Sequence, residues 1–358
     1  MGDFDVNLSC QRDLQIAKHI KFMERTISIL PCEYGYFDSS RITILFFALS
    51  GLDILNALDR VEEDKQDMIN WIYAQQIVPS FEDDDASRCG FRGASYFGGS
   101  FNPKGVPASL SPYEEGHIAM TYTALCCLLI LGDDLSRVNK KAIVAGLKAV
   151  QLDNGSFMPV KSQGENDMRF IYCACCISHI IDDWGGINVE KVIKYIRDSW
   201  SYDHGFGQGP SLESHGGSTF CAIASLILMG KLSECFREKE IDKIKRWCIL
   251  RQKSGFQGRP NKPVDTCYSF WVGASLQLLG ASELIEKDAN REYLMGTQHA
   301  TVGGFSKWPD FHPDVLHTYF GLCGLSLMSQ PGLLSVDAAL SISERAKDHL
   351  ERLHALWR

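Results

Sequence analysis

A repeat of about 50 residues is the feature that most constrains how this chain can fold. Gly-Phe pairs mark the repeat, and they end at Phe157, Phe206, Phe256 and Phe305. Successive pairs are 49, 50 and 49 residues apart (206−157, 256−206, 305−256), and Gly90-Phe91 is an earlier copy ahead of a longer insertion. A regular period of this length is typical of stacked supersecondary units. The chain is therefore expected to repeat one small motif.

Each repeat contains the patterns of two different helices. One is apolar nearly all round, as in residues 219–226, which is typical of a helix buried on more than one side. The other carries apolar residues at i, i+3, i+4 and i+7 with basic residues between them, as at Val189, Val192, Ile193 and Ile196. The repeating unit is thus predicted to be a helix pair rather than a propeller blade.

The number of helix pairs predicts the architecture. Six apolar helices are expected to begin near residues 41, 117, 167, 215, 265 and 314. Six pairs can close into an all-α six-over-six α/α barrel, or toroid, with the apolar helices inside. An open helical solenoid is the alternative, because periodicity does not reveal closure.

The repeats lie at roughly 10–60, 61–132, 133–182, 183–231, 232–281 and 282–330, before a C-terminal helix at 335–356. No linker-like tract divides them, so residues 1–358 are expected to form one domain.

Composition and charge indicate the cellular compartment of the protein and exclude some classes of partner. Thirteen cysteines, several of them inside apolar helices, predict free buried thiols in a reducing compartment. No signal sequence or membrane-spanning stretch is recognisable, which predicts a cytoplasmic protein. A net charge of −8 argues against non-specific nucleic-acid binding, and the acidic run at 82–85 is predicted to be a solvated loop.

The repeat register predicts a polar collar at one mouth of the barrel. Residues at equal distances from their Gly-Phe pair should occupy equivalent places in successive inner helices. The ninth position holds Asn166, His215, Asp265 and Asp314, and the twelfth holds Arg169, Ser218, Tyr268 and His317. Aromatic residues follow in the same helices, so we expect an aromatic lumen beneath the collar.

Asp265, Cys267 and His317 are the candidate metal ligands within this collar. The first two lie at the start of one inner helix and His317 at the start of the next. Carboxylate, thiolate and imidazole are ligand types that favour zinc, and three protein ligands leave a fourth position open. Spacing alone also allows the alternative that Cys267 is packing and His317 a hydrogen-bonded core residue.

Basic and aromatic residues near the metal ligands indicate a site for a polyanion. Fixed donors beside helix N-termini suit a diphosphate, and an aromatic lumen suits a lipid chain. The candidates are Arg259, Lys262, His215, Tyr268, Arg169 and Lys307.

Four segments resemble the β subunits of protein prenyltransferases, most closely those of type I geranylgeranyltransferases. They are GRPNKPVDTCYSFW at 258–271, ESHGGSTF at 213–220, NDMRF at 166–170 and LHTYFG at 316–321. The similarity runs from about residue 20 to residue 330. It implies a zinc enzyme that transfers a geranylgeranyl group from geranylgeranyl diphosphate to the cysteine of a C-terminal C-a-a-X sequence, often with leucine at X. It also implies a separate α subunit, and acceptors such as small GTPases of the Rho, Rac and Rap type.

The resemblance also implies roles for individual residues. The catalytic and metal-binding set is Asp265, Cys267 and His317, with Lys307 as a further catalytic residue. Residues that would bind the lipid diphosphate are His215, Gly216, Gly217, Arg259, Lys262, Tyr268, Trp271, Arg169 and Tyr172. Those that would shape the substrate pocket are Thr43, Phe47, His117, Ala119, Phe170, Leu316 and Phe320.

Two positions bear on which member of the family this chain resembles. The farnesyl enzymes carry an aspartate, which supports a magnesium ion, at the place of Lys307, so the lysine predicts activity that does not require Mg²⁺. They carry a tryptophan at the place of Thr43, so the smaller residue leaves room for a longer isoprenoid. Thr43 could instead be a helix residue whose hydroxyl bonds back to the backbone.

Several other functions remain open on the sequence. A farnesyl or Rab-directed (type II) prenyltransferase would share the metal ligands. Squalene-type cyclases share the barrel, but they need an Asp-x-Asp-Asp cluster in the lumen, and no inner helix carries one. A non-catalytic zinc-binding helical scaffold is the alternative from a different class of protein.

Overall fold

Six inner helices follow one another around a ring. A computed structural model of the chain describes residues 13–79, 85–95, 102–106, 108–109, 114–162 and 164–358, so Glu82, Asp83 and Asp84 of the acidic run lie outside the described residues. The inner helices are α2 (Arg41–Ile54), α4 (Ile118–Ile130), α6 (Met168–Ile181), α8 (Gly216–Leu228), α11 (Tyr268–Leu278) and α13 (Val315–Leu327). Each packs against its neighbours, and α13 packs against α2. The ring is therefore closed, which confirms the α/α barrel and excludes the open solenoid.

The outer helices alternate with the inner ones along the chain. They are α1 (Ile16–Ser28), α3 (Lys65–Tyr73), α5 (Lys140–Val150), α7 (Val189–Asp198), α10 (Glu238–Ile249) and α12 (Lys287–Thr297). A four-residue helix, α9 (Leu232–Cys235), precedes α10. Because an outer helix runs back after each inner one, the described inner helices all begin at the same end of the ring.

The Gly-Phe pairs join each outer helix to the next inner helix. The rings of Phe157, Phe206, Phe256 and Phe305 are fully buried, and each residue forms a bridge with a residue one to three positions after the end of the preceding outer helix. Threonine hydroxyls fix two of these junctions: Thr219 accepts the Phe206 N–H at 3.0 Å, and Thr318 accepts the Phe305 N–H at 2.9 Å. The sequence period is therefore the period of one buried connection.

Short strands complete the connections. β1 (Gln76–Val78) pairs antiparallel with β2 (Gly90–Phe91) and parallel with β3 (Ala108–Ser109). β4 (Phe305–Ser306) pairs with β5 (Pro313–Asp314) just before α13. A 3-10 helix of nine residues lies at Cys32–Ser40, and single turns of 3-10 helix lie at Leu58–Val61, Ala86–Arg88 and Ser282–Leu284.

The C-terminal segment forms the floor of the ring. β6 (Val336–Asp337) and β7 (Ile342–Ser343) form a hairpin, and α14 (Glu344–Trp357) follows. Tyr122 and Tyr172 donate their hydroxyl hydrogens to the carbonyl oxygens of Leu340 and Ala339, at 2.7 and 2.9 Å. The expected start of the C-terminal helix at residue 335 is wrong, because this hairpin occupies its first nine positions.

Two further sequence predictions concern the state of the cysteines and the presence of membrane-spanning helices. Twelve cysteines of the described part of the chain are free thiols. Among the described residues, no helix has both the length and the apolar character needed to span a bilayer.

Candidate functional site

The N-termini of the inner helices place polar side chains around one mouth of the ring. The side chains of His117, Asp167, His215 and Asp314 each accept backbone N–H groups at the start of their helices. Such caps satisfy donors that have no partner within the helix. Two residues of the predicted collar, His215 and Asp314, are N-caps, whereas Asn166 and Asp265 lie one and two positions before the N-caps of α6 and α11.

Asp265, Cys267 and His317 come together in this collar. Their potential ligand atoms all lie within 4.8 Å of one another. Nε2 of His317 is 3.3 Å from Oδ1 of Asp265, and the Cys267 N–H donates to the same oxygen at 3.0 Å. Asp265 and Cys267 lie in the turn that precedes α11. This helix begins at Tyr268 and not at the expected residue 265. Cys267 is buried and His317 is hydrogen-bonded, and both also lie close enough to Asp265 for one ion to contact all three side chains.

The charges of this cluster suit a bound cation. Burial raises the pKa of the Cys267 thiol well above its usual range, and the neighbouring Asp265 carboxylate raises it further. Burial would lower the pKa of His317, but hydrogen bonds with Asp265 and Asp314 raise it to about 9. A buried thiolate beside a carboxylate is costly without a positive charge between them. The donor set of one sulfur, one imidazole and one carboxylate is one that zinc uses.

Asp314 orients the imidazole of His317. Its Oδ1 accepts the His317 backbone N–H at 2.9 Å, and its Oδ2 lies 2.6 Å from Nδ1 of the same residue. Nδ1–H therefore donates to the carboxylate, which leaves Nε2 facing Asp265. Carboxylates commonly support metal-ligating histidines in this way. The sequence register placed Asp314 in the collar without a role, because a contact within one helical turn is not distinctive in sequence.

Lys307 lies beside the metal-ligand cluster. Its Nζ is 3.7 Å from Oδ2 of Asp265. The buried Thr266 joins the two segments: its N–H donates to the Lys307 carbonyl at 3.1 Å, and its hydroxyl to the Ser306 carbonyl at 2.7 Å. Tyr293 donates to the Val264 carbonyl at 2.9 Å. These bonds fix the backbone segment that carries Lys307 at the rim.

His215 and Tyr268 form a second part of the collar. Nδ1 of His215 accepts the N–H groups of Gly217 and Ser218, at 3.0 and 3.3 Å. Burial lowers the pKa of His215, as does the charge of Arg259, which favours the neutral ring. Nε2–H then donates to the Tyr268 oxygen, 2.9 Å away. The phenolic hydrogen of Tyr268 can therefore be donated to a ligand in the mouth.

Arg259 and Lys262 lie on the turn between α10 and α11. Arg259 donates to Oε2 of Glu213 at 3.0 Å, and Lys262 is exposed. The backbone at Gly258 lies so close to the Tyr268 ring that a β-carbon there would overlap it. The Gly216 N–H donates to the Gly258 carbonyl at 2.7 Å, which joins this turn to the start of α8.

Arg169 and Tyr172 differ in their distance from the collar. Arg169 is at the mouth, where its guanidinium contacts both oxygens of Asp167 and, at 3.0 Å, Glu165. Tyr172 lies about one turn deeper and bonds to the floor hairpin. The Tyr172 hydroxyl therefore bonds to the floor and not to the collar.

Aromatic rings line the wall beneath the collar. Trp271 lies one turn into α11 and packs against Phe320 (ring centroids 4.1 Å apart) and Phe220 (5.0 Å). Phe320 also contacts Phe47 at 5.7 Å. This wall is apolar and adjoins the metal-ligand cluster.

The other predicted pocket residues are His117, Phe170, Ala119, Thr43 and Leu316. His117 and Phe170 meet edge to face, with centroids 6.1 Å apart, and the Ala119 N–H donates to Nδ1 of His117 at 3.1 Å. The Thr43 hydroxyl lies 3.2 Å from the Met120 sulfur, so it does not bond back to its own backbone. Leu316 is half-buried against the core.

Comparisons with known proteins agree with this fold. The family model of the prenyltransferase alpha-alpha toroid domain matches residues 14–353. The chain is 41% identical to the geranylgeranyl transferase type-1 subunit beta of Dictyostelium discoideum, over 96% of this chain and 99% of that protein. It is 40% identical to the subunit of the same name from Arabidopsis thaliana, over 88% and 85%.

A solved structure is also similar. The Candida albicans protein geranylgeranyltransferase-I complexed with GGPP superimposes with a TM-score of 0.84 and 29% identity, over 95% of this chain and 99% of that one. The chain therefore belongs to the prenyltransferase alpha-alpha toroid family.

Proposed function

We propose that this chain is the catalytic β subunit of a type I protein geranylgeranyltransferase. It would transfer the geranylgeranyl group of geranylgeranyl diphosphate to the cysteine thiol of proteins that end in C-a-a-X, often with leucine at X. The similarity to type-1 subunits over nearly the whole chain supports this proposal. The single observation that carries it in this molecule is the Asp265, Cys267 and His317 cluster beside a cationic collar and an aromatic wall.

The proposed metal ligands are Asp265, Cys267 and His317, and the proposed metal is zinc. When bound, zinc would hold an acceptor cysteine as a thiolate near neutral pH, where a free thiol is mostly protonated. The chain's own contribution is to fix the ligand atoms. Asp314 orients His317, and the Asp265 carboxylate is held by the Cys267 N–H.

The collar residues would stabilise the departing diphosphate. The acceptor sulfur forms a bond to C1 of the isoprenoid, the C1–O bond breaks, and pyrophosphate leaves with the negative charge. His215 orients the Tyr268 hydroxyl, which can donate to a phosphate oxygen, and Arg259 and Lys262 supply positive charge. Donors that are already in place where charge develops stabilise the transition state.

The aromatic wall would determine which length of isoprenoid the site accepts. We propose that the isoprenoid packs against Trp271 and Phe320, and that Thr43 leaves space for its last unit. His117 and Phe170, together with Phe47, Ala119 and Leu316, would contact the end of the acceptor peptide.

We also propose the partner and the compartment by analogy with the relatives. The subunit would act with a prenyltransferase α subunit, on acceptors such as small GTPases of the Rho, Rac and Rap type. The free cysteines of the described residues support a reducing compartment, and we propose the cytoplasm.

The proposal is tested by co-expressing the chain with an α subunit and measuring transfer. Geranylgeranyl and farnesyl diphosphates are compared on matched peptides that end in leucine or methionine. We expect preferential geranylgeranyl transfer to the leucine peptide. Preference for farnesyl transfer to the methionine peptide would contradict the type I assignment, and absence of any transfer with an intact heterodimer would favour a non-catalytic scaffold.

The position of Lys307 predicts transfer that is independent of magnesium. Its ammonium lies 3.7 Å from Asp265, so it supplies positive charge at the rim without a second ion. Single-turnover rates should be equal with added Mg²⁺ and in Mg²⁺-free buffer, and Lys307→Ala should slow the reaction. Strong stimulation of the unmodified enzyme by Mg²⁺ would contradict this role.

A further inference from the structure

The side chains of Arg169 and Arg259 already contact carboxylates, and the Lys307 ammonium lies near another. Arg169 contacts Asp167 and Glu165, Lys307 approaches Asp265, and Arg259 contacts Glu213. A site that must accept a diphosphate therefore contains several anions of its own. Each of these carboxylates lowers the positive potential that the incoming ligand would meet.

Two of these four carboxylates have a second structural task. Asp167 caps α6 by accepting the Arg169 N–H at 2.8 Å, and Asp265 accepts the Cys267 N–H as part of the metal-ligand cluster. Glu213 does not cap the neighbouring helix, because His215 is the N-cap of α8. Its side chain is 61% exposed, and its ion pair with Arg259 spans two different loops of the mouth.

The position of Glu213 allows it to compete with a phosphate for the same guanidinium. Nη1 of Arg259 donates to Oε2 of Glu213 at 3.0 Å, and Arg259 is itself 40% exposed, so the pair is screened and exchangeable. A carboxylate and a phosphate present similar paired oxygens to an arginine. One guanidinium N–H group cannot serve both anions fully, so a bound diphosphate must displace or share the Glu213 contact.

We propose that Glu213 is a positioning residue that serves as an internal counter-anion for Arg259. The Glu213 carboxylate holds the Arg259 guanidinium at the mouth when no diphosphate is present. When pyrophosphate leaves, the ion pair between the two side chains forms again. Its negative charge weakens the retention of pyrophosphate and so favours release of that product. The inference rests on the proposed function, which it deepens by assigning a residue to product release.

The test measures inhibition of the heterodimer by inorganic pyrophosphate, in competition with geranylgeranyl diphosphate. Glu213→Gln keeps the size of the side chain and removes its charge. We expect the inhibition constant for pyrophosphate to fall by about two- to fivefold, the range expected for one exposed charge pair. The KM for the acceptor peptide should not change, whereas a general distortion of the mouth would alter both constants.

Two further variants separate the local contact from other effects. Glu213→Asp retains the charge and should restore weak inhibition by pyrophosphate. Asp153→Asn makes the same change in net charge at an exposed ion pair with Lys191, which is 3.1 Å away and lies outside the collar. It should leave the inhibition constant at the value of the unmodified enzyme.

The outcomes distinguish this inference from the proposed function. An unmodified heterodimer that transfers no isoprenoid would overturn the proposed function. An active heterodimer in which Glu213→Gln leaves the pyrophosphate constant unchanged would overturn the role of Glu213 alone. Equal tightening in Asp153→Asn, or equal behaviour of Glu213→Asp and Glu213→Gln, would also overturn it.

Discussion

Hydrogen bonds at His317 show how a few residues turn an ordinary helix start into a candidate metal site. Asp314 caps α13 and, with the same carboxylate, fixes which imidazole nitrogen faces Asp265. The sequence register brought the three ligands together correctly in space. It could not assign the partner of Nδ1, because that depends on side-chain rotamers and not on spacing.

Asp314→Asn is predicted to weaken zinc binding by about 10- to 100-fold, the usual effect of losing a carboxylate behind a histidine ligand. Asparagine is also a good N-cap, so the start of α13 should survive. The measurement is competition for zinc with a chelator of known affinity. Zinc affinity equal to that of the unmodified protein would show that the 2.6 Å contact does not support the ligand.

Pairings between loops are the part of the site that sequence reasoning missed. Arg259 was predicted to be a diphosphate donor at the mouth, and the structure adds an ion pair with Glu213 from the preceding inter-helix loop. Tyr172 was grouped with the diphosphate residues, but its hydroxyl reaches the floor. Neither contact follows from the repeat, because the repeat gives the position of a residue along its helix, whereas the direction of a long side chain depends on neighbours from other repeats.

Elements were predictable where burial dictates the pattern. The expected starts of the inner helices agree with the structure within one residue for α2, α4, α6, α8 and α13. α11 starts three residues later than expected, because the Asp265 to Cys267 turn is held by backbone contacts with Lys307 and Phe256. Tertiary hydrogen bonds of this kind leave no periodic signal.

Helix α1 is attached to the last repeat through a buried neutral histidine. Nδ1 of His19 accepts the Gly304 N–H at 2.9 Å, and Nε2 lies 2.8 Å from Oε1 of Gln298. Burial lowers the pKa of His19 to about 4, even though the bond to Gln298 opposes this shift. The ring is therefore neutral in the folded state at pH values where it is protonated in the unfolded chain.

This shift predicts that the free energy of unfolding falls with acidification. Above pH 6.5 both states are neutral at His19. Between about 6.5 and 4 the unfolded chain binds a proton that the folded chain excludes, which costs about 1 kcal/mol per pH unit. Denaturant unfolding at several pH values should show a shallower slope in His19→Asn. The exposed His312→Asn is the control, and equal slopes in both variants would refute the assignment.

Closure of the ring explains how the whole molecule presents one mouth. The inner helices begin at the collar, and the C-terminal hairpin and α14 cover the opposite end. Asp53 of α2, which is 1% exposed, joins the two parts: it accepts hydrogen bonds from Ser343 and, at 2.8 Å, from Arg345. The ring closes where α13 packs against α2, and the bond from Ser343 to Asp53 joins residues 290 positions apart. A local sequence pattern cannot encode contacts of such long range.

The floor hairpin predicts a cost for removing a buried hydroxyl. Tyr172→Phe would leave the Ala339 carbonyl without its donor, and the free energy of unfolding should fall by about 1–3 kcal/mol. Tyr202→Phe, at a site that is 94% exposed, is the matched control. Equal stability of the two variants in chemical denaturation would show that the floor contact contributes nothing.

The central claim is that the mouth of this ring holds a catalytic metal between Asp265, Cys267 and His317. The most direct measurement is elemental analysis of the purified heterodimer and of its Cys267→Ala variant after dialysis against a weak chelator. One zinc per β chain is predicted in the unmodified protein, with loss of both the zinc and geranylgeranyl transfer in the variant. An active, correctly folded heterodimer without zinc, or a variant that retains one zinc, would contradict the claim.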